Sequence, residues 1–212
     1  MSLIALLLAQ VAPVAPAPTS VAPPVSAATP APSLPRVALE TAMGRIVIEL
    51  ETKRAPITAG NFLRYVDQKR LDGAKFYRTV KAGEKFGFVQ FGVAGDPKRM
   101  LPPIAHERTD VTGVRHVSGA ISTARFEPGS ARGEFTISVG DQPSLDANPS
   151  APADATQTNL GYAAFGRVVE GMDVIERIMN APIDPNKTDQ GSFKGEIPVA
   201  AVVVTSARRV PN

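Results

Sequence analysis

Residues 36–50 read RVALETAMGRIVIEL, and this run decides the fold class. Val37, Leu39 and Thr41, then Ile46, Ile48 and Leu50, alternate with small or charged neighbours at the two-residue period of half-buried strands. Met43 and Gly44 break the alternation and supply a turn, so an antiparallel hairpin is expected. The next segment, APITAGNFLRYVDQKRLDG (residues 55–73), changes period. Pro56 suits a first helical turn, Phe62, Leu63 and Val66 share one face, and Gly73 follows the end. The hairpin therefore feeds an amphipathic helix.

Farther along, KFYRTV (75–80), FGFVQFGVAG (86–95), GAISTAR (119–125) and EFTISVG (134–140) are apolar runs of strand length with turn residues between them. DANPSAPADATQTN (146–159) has no apolar period and reads as a surface loop. A strand-like LGYAAFGRVV (160–169) then meets EGMDVIERIMNAP (170–182), where Met172, Ile175, Ile178 and Met179 recur at helical spacing until Pro182. The β-branched run in IPVAAVVVTSARRV (197–210) reads as a buried closing strand. Many short strands and two helices in one domain point to a barrel with helical plugs.

Composition narrows the function. The chain has 212 residues and a net charge of +3, with its basic residues scattered instead of forming a stripe, which speaks against a nucleic-acid surface. Cysteine is absent, removing disulfides, thiol nucleophiles and thiolate metal sites. The only histidines are His106 and His116, and neither has a neighbour at metal-ligand spacing, so no metal is expected. No nucleophile and base set supports a hydrolase.

No charged residue precedes Arg36. Residues 1–10, MSLIALLLAQ, read as a secretory signal h-region and are too short for a stable membrane span, which needs about 20 apolar residues. The basic n-region is missing, so either the signal is atypical or the true start lies upstream. Residues 11–35 are almost entirely Ala, Pro, Val, Ser and Thr and read as a solvated tether, leaving 36–210 as the folded domain.

The order of these motifs resembles the cyclophilins, peptidyl-prolyl cis/trans isomerases, and most closely their bacterial exported type. MGRIVIEL followed by APITAGNFLRYV is similar to the family's first hairpin and helix. KFYRTV resembles F-H-R-V-I, GAISTAR resembles G-x-I-A-M-A-R, and EFTISVGD stands where the family has Q-F-F-I. GYAAFGRVVEGMDVIERI is similar to F-G-x-V-x-x-G-M-x-V-v-d-x-I. The resemblance implies a mainly β fold, a closed eight-stranded antiparallel β-barrel capped by two α-helices. It also implies an isomerase that accelerates X-Pro rotation in folding exported proteins. The resemblance further implies that no cofactor is needed and that the partners are unfolded or extended proline-containing polypeptides, and a monomer located in the periplasm or otherwise exported is expected. The alternative is a low-turnover chaperone or peptide-binding module with the same groove.

The same resemblance assigns site residues. Arg78 is the catalytic cation and Gln90 the residue that orients it. Phe88 falls on the pocket wall, Ala124 and Arg125 on a strand lining the peptide groove, and Leu145 on the rim. Tyr162 matches a groove position that is tyrosine or histidine in the family. His106, in LPPIAHERTD, lies in a P-P-I-x-x-E loop without a catalytic role and is expected to be exposed.

Three departures from the family pattern stand near the site. Gln90 follows Arg78 by 12 residues where a shorter spacing is usual, so KAGEKFG contains an insertion and Phe86 competes with Phe88 for the wall. Thr136 takes the place of a pocket-floor phenylalanine. Glu134 replaces a glutamine and is expected to draw Arg78 toward itself.

Overall fold

The hairpin expected at residues 36–50 forms as β1 (Arg36–Thr41) and β2 (Gly44–Leu50), antiparallel with Arg36 opposite Glu49 and Thr41 opposite Gly44. Val37, Leu39, Ile46, Ile48 and Leu50 are fully buried, while Thr41 at the turn is half-buried. The structure, a computed structural model, describes residues 33–93, 95–154, 157–189 and 191–211. The signal segment expected at 1–10 and the tether expected at 11–35, apart from residues 33–35, lie outside the described residues.

Helix α1 (Pro56–Asp67) starts on Pro56, whose missing N–H costs nothing in a first turn. Two of the exposed amides there are satisfied from a distance: Ile57 and Thr58 donate to the Glu107 carboxylate at 3.1 and 2.7 Å. This gives the P-P-I-x-x-E loop a structural purpose, since a carboxylate at a helix N-terminus also meets the positive end of its dipole.

The remaining elements follow the apolar runs. They are β3 (Lys75–Gly83), β4 (Phe86–Gly92), β5 (Ala120–Thr123), β6 (Glu134–Val139), β7 (Ala164–Glu170), α3 (Met172–Met179) and β8 (Val202–Val210), with α2 (Thr109–Thr112) between β4 and β5. The single turn of α2 was not legible in the sequence, and Gly113 ends it at φ +71°. The strands pair in the order β1-β2-β7-β5-β6-β4-β3-β8 and close into one barrel, every pair antiparallel. Closure by β8 against both β1 and β3 leaves the barrel no open edge among the described residues.

Inside the barrel, α1 contributes Phe62 to an aromatic cluster. Its ring centroid lies 4.9 Å from that of Phe135, which in turn is 5.6 Å from Phe91 and 6.0 Å from Phe165. Edge-on and tilted rings of this kind add about 0.5–1.5 kcal/mol per pair beyond their buried area. Ile175, Ile178 and Met179 of α3 are buried in the same core, so the methionine spacing serves packing. No described helix is long and apolar enough to cross a membrane.

Candidate active site

A β-bulge decides which way Arg78 faces. In a regular strand Arg78 would follow Phe76 into the core at the two-residue period. The β3–β4 register instead shifts between Phe76 and Arg78, so Phe76 and Thr79 point inward while Tyr77 and Arg78 both turn outward. Arg78 then pairs across the strands with Gln90, Gln90 with Thr136, and Thr136 with Ser122. These four residues form one row over β3, β4, β6 and β5. The insertion after Arg78 lengthens the β3–β4 hairpin without disturbing this row.

The guanidinium of Arg78 is held at several points. Nη1 donates to Gln90 Oε1 at 3.1 Å, and Nε donates to Glu196 Oε2 at 2.6 Å. One ring, Phe193, lies 4.0 Å from the guanidinium carbon and a second, Phe88, lies 5.3 Å away, both within cation–π range. Among the described residues Nη2 has no hydrogen-bond partner.

Gln90 is held in turn. Its amide nitrogen donates to the Tyr77 hydroxyl at 2.6 Å, and that hydroxyl donates to Glu134 Oε2 at 2.8 Å. The chain fixes the amide's orientation, because a hydroxyl that gives its proton to a carboxylate can only accept from Gln90. Burial first, and then the Glu134 charge, push the Tyr77 phenol far above its usual pKa, so it stays a donor at any working pH.

Arg78, Gln90 and Thr136 open on a cavity of about 530 Å3 whose wall includes Phe88, Ala124, Arg125, Glu134, Leu145 and Tyr162. All nine residues expected at the site therefore line one cavity. Phe88 takes the wall, whereas Phe86 is 44% exposed and lies outside it. Thr136 Oγ1 sits 2.8 Å from Ser122 Oγ.

Three expectations need correction. Ala124 and Arg125 are not on a strand: β5 ends at Thr123, and Ala124 continues only by donating its N–H to the Glu134 carbonyl at 2.9 Å. The Arg125 guanidinium donates to the carbonyls of Phe126, Gln157 and Gly161, so it ties two loops together while lying 5.3 Å from the Tyr162 ring centroid. Glu134 is not the carboxylate in contact with Arg78; that group is Glu196, and Glu134 is linked to the arginine through Tyr77 and Gln90. His106 is half-buried, with Nε2 3.0 Å from the Leu160 carbonyl, and burial holds its pKa below the usual imidazole value.

The sequence reading missed Tyr77, Phe193 and Glu196. Tyr77 stands beside Arg78, but the bulge that turns both outward leaves no mark in the hydrophobic pattern. Phe193 and Glu196 arrive from the loop between α3 and β8, with 118 residues separating Glu196 from Arg78. Outside the cavity, His116 is buried with Nδ1 2.8 Å from Asp146 Oδ1, and burial lowers its pKa. Among the described residues no group of three or more His, Cys, Asp or Glu is placed to hold a metal ion.

Comparison with known proteins gives one family. The model of the cyclophilin type peptidyl-prolyl cis-trans isomerases matches residues 36–208. A peptidyl-prolyl cis-trans isomerase of Streptomyces antibioticus is 35% identical over 175 residues, 81% of this chain and 96% of the relative. One of Acinetobacter baylyi is 32% identical over 171 residues, 80% of this chain and 85% of its own. Among solved structures, a cyclophilin type peptidyl-prolyl cis-trans isomerase of Cryptosporidium parvum superposes with a TM-score of 0.63 at 19% identity, covering 84% of this chain and 99% of the other. That protein was also solved in the presence of the dipeptide Ala-Pro.

Proposed function

The chain belongs to the cyclophilin-type peptidyl-prolyl cis-trans isomerases, and from that premise we propose that Arg78 lowers the rotation barrier and that the clients are exported polypeptides. An X-Pro bond resists rotation by ~18–20 kcal/mol because resonance gives C–N partial double character. No bond breaks during turnover. What the reaction needs is a donor aimed at the group whose electrons localise as resonance is lost, in a surround that excludes water. Each ~1.4 kcal/mol taken from the barrier gives tenfold in rate.

The observation that carries this reading is the state of the Arg78 fork. Nε and Nη1 are engaged by Glu196 and Gln90, and among the described residues Nη2 has no hydrogen-bond partner, at the edge of a largely apolar cavity. Arginine suits the task better than lysine, since its planar fork can be aimed and its charge persists at any working pH. Phe88, Leu145 and Tyr162 supply the apolar socket for the prolyl ring, and Gln90, oriented by Tyr77, keeps Arg78 upright. Proline-containing peptides are the substrate class, in keeping with the Ala-Pro dipeptide present with the Cryptosporidium parvum protein. The enzyme acts as a monomer and without nucleic acid; among the described residues Arg36, Arg54, Arg208 and Arg209 are each paired with a carboxylate, which offsets part of the basic charge.

Export is inferred from the uncharged apolar start and the Ala/Pro-rich stretch before Arg36. Two measurements test these proposals. Substoichiometric enzyme should accelerate the slow, proline-limited refolding phase of a denatured protein; holding that protein without speeding the phase would favour the chaperone alternative. Protein recovered from cells should begin between Ala9 and Ser33, and full-length chain retained in the cytoplasm would contradict export.

A further inference from the structure

The loop between α3 and β8 sends two side chains onto Arg78, and its backbone shows that neither arrives by chance. Glu196 is docked on the strand it serves: its carbonyl accepts the N–H of Thr79, the residue after Arg78, at 2.8 Å, and its own N–H donates to the Phe193 carbonyl at 3.0 Å. The carboxylate therefore reaches Nε from a pinned backbone. Phe193 adopts φ +61°, a left-handed conformation that a bulky side chain enters only at a cost, between Gly191 and Gly195 at φ +80° and +78°. Glycine or asparagine would sit there without strain, so what retains an aromatic is its contact, the guanidinium face 4.0 Å away.

We propose that Glu196 and Phe193 are positioning residues for X-Pro isomerisation: with Gln90 they hold the Arg78 fork at Nε, at Nη1 and on one face, so that Nη2 is presented to the substrate before it binds. This rests on Arg78 being the catalytic group. A long arginine side chain free to sample its rotamers must be ordered on the way to the transition state, whereas a preorganised donor requires no rearrangement. An opposing effect is that Glu196 partly neutralises the cation. The pair is 21% and 31% exposed, so solvent screens that attraction, and positioning is the larger effect. Removal of the carboxylate should slow the enzyme.

The test is kcat and KM on an Ala-Pro peptide for wild type, E196A, E196Q, F193G and R78A, with the melting temperature of each and the order parameter of the Arg78 Nε–H group by NMR. E196A should lower kcat by about three- to tenfold with KM little changed, because an aimed donor acts mainly in the twisted state. E196Q keeps an oxygen to accept from Nε and should restore most of that loss. F193G should also lower kcat, yet its melting temperature should hold or rise as the left-handed strain is relieved. The Nε–H order parameter should fall in E196A and F193G. E196A as fast as wild type, E196Q as slow as E196A, or F193G losing stability together with activity would each overturn the proposal. With R78A slow, any of these results condemns the clamp alone; R78A at the wild-type rate would remove the catalytic role of Arg78 and the clamp with it.

Discussion

Thr136 sits in the middle of the site's cross-strand row, with Gln90 on one side and Ser122 on the other, where a deeper socket would have an aromatic floor. Thr136→Phe should tighten binding of Ala-Pro peptides by roughly 1–2 kcal/mol, the scale of the restored apolar burial. It should also lower stability, since Ser122, only 1% exposed, loses its partner at about 1–3 kcal/mol. Calorimetric titration and chemical denaturation read the two effects separately, and weaker binding with an intact fold would place the floor elsewhere. The Tyr77 relay gives a second prediction. Tyr77→Phe removes the hydroxyl that orients Gln90 and should slow turnover more than Glu134→Gln, whose amide oxygen can still accept the Tyr77 proton. Equal rates for the two variants would remove the relay from the mechanism. At this scale the sequence carried Arg78, Gln90 and the cavity wall, because those residues sit in short motifs. It did not carry Glu196 or Phe193, whose nearness to Arg78 exists only after the chain has closed, nor the face of Tyr77, which a bulge sets.

Among the elements, the β3–β4 hairpin is the one whose length departs from the family pattern and whose register pairs Arg78 with Gln90. Gly87 lies close against β3: a Cβ there would stand 2.0 Å from the Val80 carbonyl oxygen. Gly87→Ala must therefore push β4 away from β3, and it should lower the melting temperature and activity together as Gln90 leaves its place opposite Arg78. Retained activity at reduced stability would show that the row tolerates the shift. Helix α1 offers a cleaner case. Glu107 accepts from the Ile57 and Thr58 amides and from the Thr58 hydroxyl at 2.7 Å, so Glu107→Ala should cost about 1–2 kcal/mol, the range of a lost cap, without changing kcat. Element types were readable because alternation and helical spacing follow burial, although the closing strand β8, expected to be buried, is buried only at Val204 and Ala207. Ends were less so: β5 stops at Thr123 although Ala124 still donates to the Glu134 carbonyl, and α2 is a single turn closed by Gly113.

For the whole molecule, barrel closure and the charge pairs around it set the response to acid. Burial holds both histidines below their usual value of 6.5, so between that pH and their folded values the unfolded chain binds more protons and stability falls as pH drops. Asp67, Asp72 and Glu49 are held low by hydrogen bonds from Arg209, Arg208 and Arg36. Their contribution is full above the unfolded carboxylate range of about 4 and is lost as pH falls through the folded values. The melting temperature should therefore decline in two steps, and His116→Gln should shrink the upper one; an unchanged upper step would assign it to other groups. The catalytic role proposed for Arg78, in contrast, needs no titrating group of its own. The most direct measurement of that claim is NMR exchange spectroscopy on a short Ala-Pro peptide with wild type, Arg78→Ala and Arg78→Lys. Interconversion should slow by at least about tenfold with alanine and recover only in part with lysine, whose single ammonium cannot reproduce the aimed fork; exchange at the wild-type rate in both variants, with the fold intact, would contradict the role of Arg78.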